Sequence, residues 1–183
     1  MILLFAVAAG LTVGLGLAHR KRVRYEAPVF QFLWLMFIAF GLQFVLPRLS
    51  VSTSLFAALL ITSQILLFVF ALLNHSLPGM KALTLGAALN LLVMIANGGF
   101  MPIRPQAAAY LVPERSLLDF PASARFGAKD IILMPEATRF EWLADRFLTP
   151  AWFPYQSAFS LGDVLIAAGA FWLLARPAHS IQR

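Results

Sequence analysis

The sequence predicts an all-α polytopic membrane bundle of about five transmembrane helices, with one long external loop carrying an amphipathic helix. Three observations lead there. Hydrophobic residues make up 61% of the chain and charged residues 12%, against about 45–50% and about 25% in soluble domains. The apolar residues gather in five runs, and nearly all the charges lie between those runs. The stretch 97–157 is long, while the other connections are short.

The runs are 2–18, 29–46, 55–73, 82–96 and 158–175. A span needs about 20 mostly apolar residues, so the first and fourth runs are expected to extend into their flanks. All five are rich in Leu, Phe and Ala without a polar face, which suits helices covered on every side. Positive charge follows the first run, in His19-Arg20-Lys21-Arg22-Val23-Arg24, rather than preceding it. That order is not the pattern of a cleaved signal peptide. The positive-inside rule puts this cluster in the cytoplasm and the amino-terminus outside. Five spans then bring the carboxy-terminal Arg176 and Arg183 to the cytoplasm. Lys81 in the 74–81 turn agrees, and the external 47–54 turn carries only Arg48. The length suits one integral membrane domain, 1–183. With no cysteine there is neither disulfide nor thiolate chemistry.

The 97–157 loop is expected to be external. Its basic residues (Arg104, Arg115, Arg125, Lys129, Arg139, Arg146) balance its acidic ones (Glu114, Asp119, Asp130, Glu136, Glu141, Asp145). Pro102, Pro105 and Pro113 break up its first part. From Glu136 to Leu148, Phe140, Leu143, Ala144 and Phe147 recur at helical spacing after Pro135, a residue suited to a first helical turn. This predicts an amphipathic helix, either on the membrane surface or on the end of the bundle. Trp142, Trp152 and Tyr155 suit an interfacial aromatic belt.

Asp163 is the charged side chain inside an apolar run, and intramembrane carboxylates are costly enough to invite a functional reading. It also has a structural one. Ser160-Leu161-Gly162-Asp163 matches a capping box at the start of the last helix, with Phe159 and Val164 at the staple positions. The helix dipole favours a carboxylate there. The functional reading needs a partner, because two carboxylates sharing a site are driven to different pKa values and can divide acid and base roles. Asp145 is the candidate, with solvation on the polar face of the loop helix as its plainer role. Asp163 and Asp145 are therefore the candidate catalytic pair for metal-free hydrolysis.

Asn97-Gly98-Gly99 follows the fourth run, on the same side as Asp163. Glycines there suit a left-handed helix cap, and they also let backbone N–H groups approach a ligand. Asn97, Gly98, Gly99 and Ser160 are the candidate substrate-binding residues, with Asn97 in reach of Asp163. Asn90 and Gln64 are expected to hydrogen-bond between helices. His19, His75 and His179 lack ligand spacing, so no metal site is expected and no cofactor motif stands out. The basic 19–24 turn serves topology and can meet anionic lipid. It offers no face for nucleic acid. The lipid bilayer is the expected partner, and the oligomeric state is not legible.

Two resemblances rest on these residues. The tail is similar to the lipoprotein (type II) signal peptidases, whose catalytic aspartates lie in Gly-Asn-x-x-Asp-Arg and Phe-Asn-x-Ala-Asp segments. Asp145-Arg146 and Phe159 with Asp163 match these, whereas Glu141, Trp142, Ser160 and Gly162 depart from them. The resemblance implies an aspartyl peptidase, and the reading that follows is a hydrolase at the outer membrane face acting on a membrane-anchored peptide or lipid-linked substrate. The alternative is a non-enzymatic membrane protein that binds a partner or lipid through its external loop. The signal peptidases have four spans, and only the direction of the last helix agrees. Over nearly its whole length the chain resembles a family of uncharacterised bacterial multi-pass membrane proteins. That family carries an Asn-Gly-Gly-x-Met-Pro turn, here 97–102, and a terminal Phe-Ser-x-Gly-Asp helix start, here 159–163. This implies a bacterial inner membrane and no particular activity.

Overall fold

The computed structural model describes residues 2–114, 121 and 123–176. Of the charged residues weighed above, Arg115, Asp119, His179 and Arg183 lie outside the described residues. The chain is mostly helical. Two helices, α1 (Ile2–Lys21) and α3 (Thr53–Leu73), are long and apolar enough to cross a membrane. Three shorter apolar helices are α2 (Leu33–Val45), α4 (Met80–Ala96) and α6 (Leu161–Ala175).

Their ends follow local chemistry. Helix α2 starts at Leu33 rather than 29, because Phe32 takes a left-handed φ of 52°. It closes in a 3-10 turn, Leu46–Arg48, around Pro47. Ser52 caps α3 by accepting a hydrogen bond from the Leu55 N–H at 3.3 Å. Helix α4 reaches back to Met80 because Gly79, at φ 81°, turns the chain directly into it. Helix α6 starts at Leu161 rather than 158, because Ala158–Phe159 is drawn into a strand pair.

The helices pack in the order α1–α6–α4–α3–α2. A close seam joins α4 to α6, where glycines seven residues apart on each side face one another. Gly86 meets Gly162, and Gly79 meets Gly169, so closely that a Cβ on any of them would collide with opposing backbone. Small residues let helices approach in this way. Between α2 and α3, the polar link is Gln43 Nε2 donating to Ser63 Oγ at 3.2 Å, not the expected Gln64. The segment joining α1 to α2 crosses one end of the row. Tyr25 Oη donates to the Leu174 carbonyl at 3.0 Å. Further along, the Gln31 N–H donates to Asn74 Oδ1 at 2.8 Å.

The region 97–157 corrects the all-α expectation. It folds into a cap containing β1 (Met101–Ile103), α5 (Pro105–Leu111), β2 (Arg125–Phe126), β3 (Asp130–Ile132) and β4 (Phe147–Leu148), which pairs with β5 (Ala158–Phe159) just beyond it. Strand β3 lies between β1, parallel to it with Met101 opposite Asp130, and β2, antiparallel with Arg125 opposite Ile131. Strands β4 and β5 form a second, antiparallel pair. The expected amphipathic helix over 136–148 does not form. In its place are 3-10 turns at Pro135–Ala137 and Glu141–Leu143, then β4. Phe140 at φ 56° breaks the helical path between them. The supposed apolar stripe is split: Leu143 and Ala144 are buried, while Phe140 and Phe147 are exposed.

Leu143, Ala144, Phe100 and Met101 pack with Leu46, Phe56, Leu60, Val93 and Met94 in one cluster, which fixes the cap onto the ends of α3 and α4. Burying one such large side chain contributes about 1.5–3 kcal/mol. A second cluster lies inside the cap, around Ile103, Ala107, Ala108 and Ile132.

Candidate functional site

The start of α6 is built as its sequence predicts. Ser160 Oγ accepts from the Asp163 N–H at 3.0 Å, and Asp163 Oδ2 accepts from the Ser160 N–H at 3.2 Å. The reciprocal pair satisfies two N–H groups that a helix start leaves without partners. Asn90 of α4 reaches across the glycine seam to complete the arrangement. Its Nδ2 donates to Asp163 Oδ1 at 2.8 Å, and its Oδ1 accepts from Ser160 Oγ at 2.8 Å. Asn90 thus takes the place expected for Asn97.

Asn97 instead holds the cap. Its Nδ2 donates to the carbonyls of Val93 (2.8 Å) and Arg139 (2.9 Å), and its Oδ1 accepts from the Arg139 N–H at 2.9 Å. Gly98 and Gly99, at φ 74° and 94°, supply the left-handed turn that ends α4, closed by the Gly99 N–H on the Met94 carbonyl at 2.8 Å. A Cβ on Gly99 would press on Ala57 of α3, so this turn lies against the bundle.

Asp145 is not on a solvated face. Its side chain is 1% exposed. The Asp145 N–H donates to the Pro102 carbonyl at 3.2 Å, which hangs the residue on the edge of β1. Lys129, in the turn entering β3, donates to Asp145 Oδ2 at 2.7 Å and lies 3.4 Å from Asp130 Oδ1. Asp145 Oδ1 is buried without a hydrogen-bond partner. Burial pushes the Asp145 carboxyl up to about 6. Lys129 opposes that shift, while Asp130 and Asp163 add to it. Burial also raises Asp130, against the pull of Lys129. For Lys129, burial acts to lower the pKa, but the field of Asp130, Asp145 and Asp163 prevails and holds it above its ordinary value.

The two sequence-predicted aspartates therefore share an electrostatic neighbourhood centred on Lys129. Among the described residues no hydrogen bond joins them, and both Asp163 oxygens are taken by Asn90 and the Ser160 backbone. Sequence reasoning missed Lys129, Asp130 and Arg104. The available signal was the Lys129-Asp130 pair in a Gly-containing turn of an otherwise apolar chain.

Beside Asp145 the cap has a second charged group. Arg104 Nη2 pairs with Glu141 Oε1, and Arg146 Nη1 lies 3.6 Å from Glu141 Oε2. Arg104 Nε is buried without a partner. Arg125 stacks 3.5 Å over the Phe56 ring, placing a cation against the bundle end. Among the described residues no group of three His, Cys, Asp or Glu side chains is arranged to hold a metal ion.

Fold and site together define a mostly helical protein of apolar helices, capped by a small mixed segment that buries a lysine-centred carboxylate cluster. The chain belongs to the family of unknown function DUF5317, whose model matches residues 28–175 and so covers α2 through α6. An uncharacterized protein of Thermotoga maritima is 32% identical over 126 residues, or 66% of this chain and 65% of that relative's length. No solved structure matches.

Proposed function

We propose that the chain is a five-span inner-membrane protein whose cap lies outside, in the headgroup layer, and binds a lipid or membrane-anchored partner there. The exposure of the cap's large apolar side chains carries this reading. Met134, Phe140, Trp142, Phe147, Trp152 and Tyr155 are all exposed, Trp152 at 81%. Such a surface is unfavourable in water but suits the interface between headgroups and acyl chains. The basic 19–24 segment lies at the opposite end of α1, in keeping with a cytoplasmic location for that end. The test has two parts. Reporters fused near Gly127 and after Arg183 should read external and cytoplasmic, respectively. In vesicles, a variant with Trp152 as its sole tryptophan should be quenched by lipids brominated near the headgroup more than by lipids brominated near the chain terminus. Quenching absent at both depths would rule out a headgroup-layer cap.

A second reading is favoured by one observation, the buried Asp145 with one oxygen unpartnered, where burial pushes the carboxyl up to about 6. Such a group can exchange protons under working conditions. In this reading the protein is an aspartyl hydrolase, with Asp145 transferring the proton and Asp163 shaping its field. Cleavage of a lipid-modified peptide by reconstituted protein, abolished by Asp145→Asn with insertion intact, is the expected result. Retained cleavage in that variant would remove Asp145 from the chemistry.

A further inference from the structure

A small notch opens in the cap beside Asp145. It is lined by Arg104, Thr138, Glu141, Asp145 and Arg146, and holds about 10 Å³, room for roughly one oxygen-sized atom. Two of these residues carry buried polar atoms without hydrogen-bond partners: a donor, Arg104 Nε, and an acceptor, Asp145 Oδ1. Buried polar atoms in native proteins are nearly always satisfied, so two at one notch point to a ligand. The rim is cationic. The Arg104 and Arg146 side chains are 40% and 38% exposed, and they share a single carboxylate, Glu141. Guanidinium groups have donors to spare and match oxyanions geometrically.

We propose that the notch is a phosphate site: one phosphate oxygen enters it, Arg104 and Arg146 hold the others at the rim, and Asp145 closes the floor as a protonated donor. An ionised Asp145 would repel the ligand, so the proton and the phosphate bind together. The groups facing Asp145 are consistent with this coupling. Lys129 from the turn before β3, Arg104 before α5 and Arg146 beside it favour the carboxylate. Asp130 of β3, Asp163 of α6 and Glu141 favour the proton. The exposed aromatic residues nearby make a phospholipid headgroup the favoured source. That choice of source rests on the headgroup-layer reading, whereas the site itself does not.

The probe is dimethyl phosphate, a diester that keeps one charge across the pH range, so any pH effect belongs to the protein. Titrated into the full chain in detergent, it should bind up to about a hundredfold more tightly at about pH 5 than at about pH 8. Arg146→Gln, a change at the half-exposed rim, and Arg104→Gln should each weaken it about tenfold. Asp145→Asn keeps a donor at the floor and should bind equally at both pH values. A parallel arm uses phosphatidylcholine vesicles with and without phosphatidylglycerol. Preference for phosphatidylglycerol that Arg146→Gln abolishes identifies the lipid source. Dimethyl phosphate binding without that preference, or without Trp152 quenching, leaves the site standing for a soluble phosphate. No dimethyl phosphate binding at about pH 5 would overturn the proposal. So would binding indifferent to both arginines, or a pH dependence that survives in Asp145→Asn.

Discussion

Gly162→Ala is the sharpest test of how α6 is held. A methyl at that position would meet Asn90 Oδ1 and lie 2.7 Å from Asn90 Cγ and 2.7 Å from the Gly86 carbonyl oxygen. The Gly86 backbone cannot yield cheaply, so Asn90 must move and lose its bonds to Asp163 and Ser160. A hydrogen bond to a carboxylate contributes about 1.5–3 kcal/mol, an interhelical polar bond about 0.6 kcal/mol, and overpacking costs about 1–3 kcal/mol. Replacing glycine in a helix returns at most about 1 kcal/mol. The net expected loss is about 2–5 kcal/mol. Gly16→Ala and Gly41→Ala are the controls, because no atom lies within 4 Å of a Cβ built at either. Those two should be neutral or stabilised by up to about 1 kcal/mol. The assay is unfolding in mixed micelles by increasing sodium dodecyl sulfate, followed by circular dichroism. In an Asn90→Ala background the Gly162→Ala penalty should shrink, since one of its two clashes has gone. Gly162→Ala unfolding together with Gly16→Ala would refute the close seam between α4 and α6.

Three further outcomes are expected. Asn97→Ala removes the clamp on Arg139, so amide exchange over residues 133–146 should quicken while that of α3 is unchanged; equal protection in both proteins would show that the clamp is idle. The Asp145 carboxyl, followed by carbon-13 NMR, should titrate near 6, rise further in Lys129→Met and fall in Asp130→Asn or Asp163→Asn, as the signs of those neighbours require. Because the folded state holds that proton to a higher pH than the unfolded chain does, Asp145 should make cap stability decline as pH rises from about 4 to about 6, and Asp145→Asn should remove that component of the slope.

The helices were legible because an apolar run is a local property, and so was the Ser160–Asp163 box, whose partners are three residues apart. Helix ends were less so. The start of α2 depends on the left-handed Phe32, and that of α6 on pairing with Phe147–Leu148, neither of which an apolar run displays. The cap was misread for two reasons. Its strands are two or three residues long, too short to carry an alternating pattern, and β1 pairs with residues almost thirty positions onward. The spacing of Phe140, Leu143, Ala144 and Phe147 imitates a helix, but a kinked path through a 3-10 turn produces it equally well. Asp145 looked like a surface residue beside Arg146 because the ion that lets it be buried, Lys129, comes from the turn before β3. The Asn90 bridge had half its signal in the sequence: a polar residue in α4 was foreseen as interhelical, but not which carboxylate it would meet.

The order α1–α6–α4–α3–α2 also constrains how the protein is made. Helices α3 and α4 meet their neighbours as they emerge, each packing on the one before. Helix α1 is synthesised first, yet its main partner, α6, is synthesised last. Through most of translation Gly10 and Gly14 wait without the surface they are shaped to fit. The 22–32 segment must lie across the growing row until Tyr25 finds Leu174. Packing of α1 on α6 is thus a late event that joins the first described helix to the last. A ribosome stalled before α6 would leave α1 without that partner.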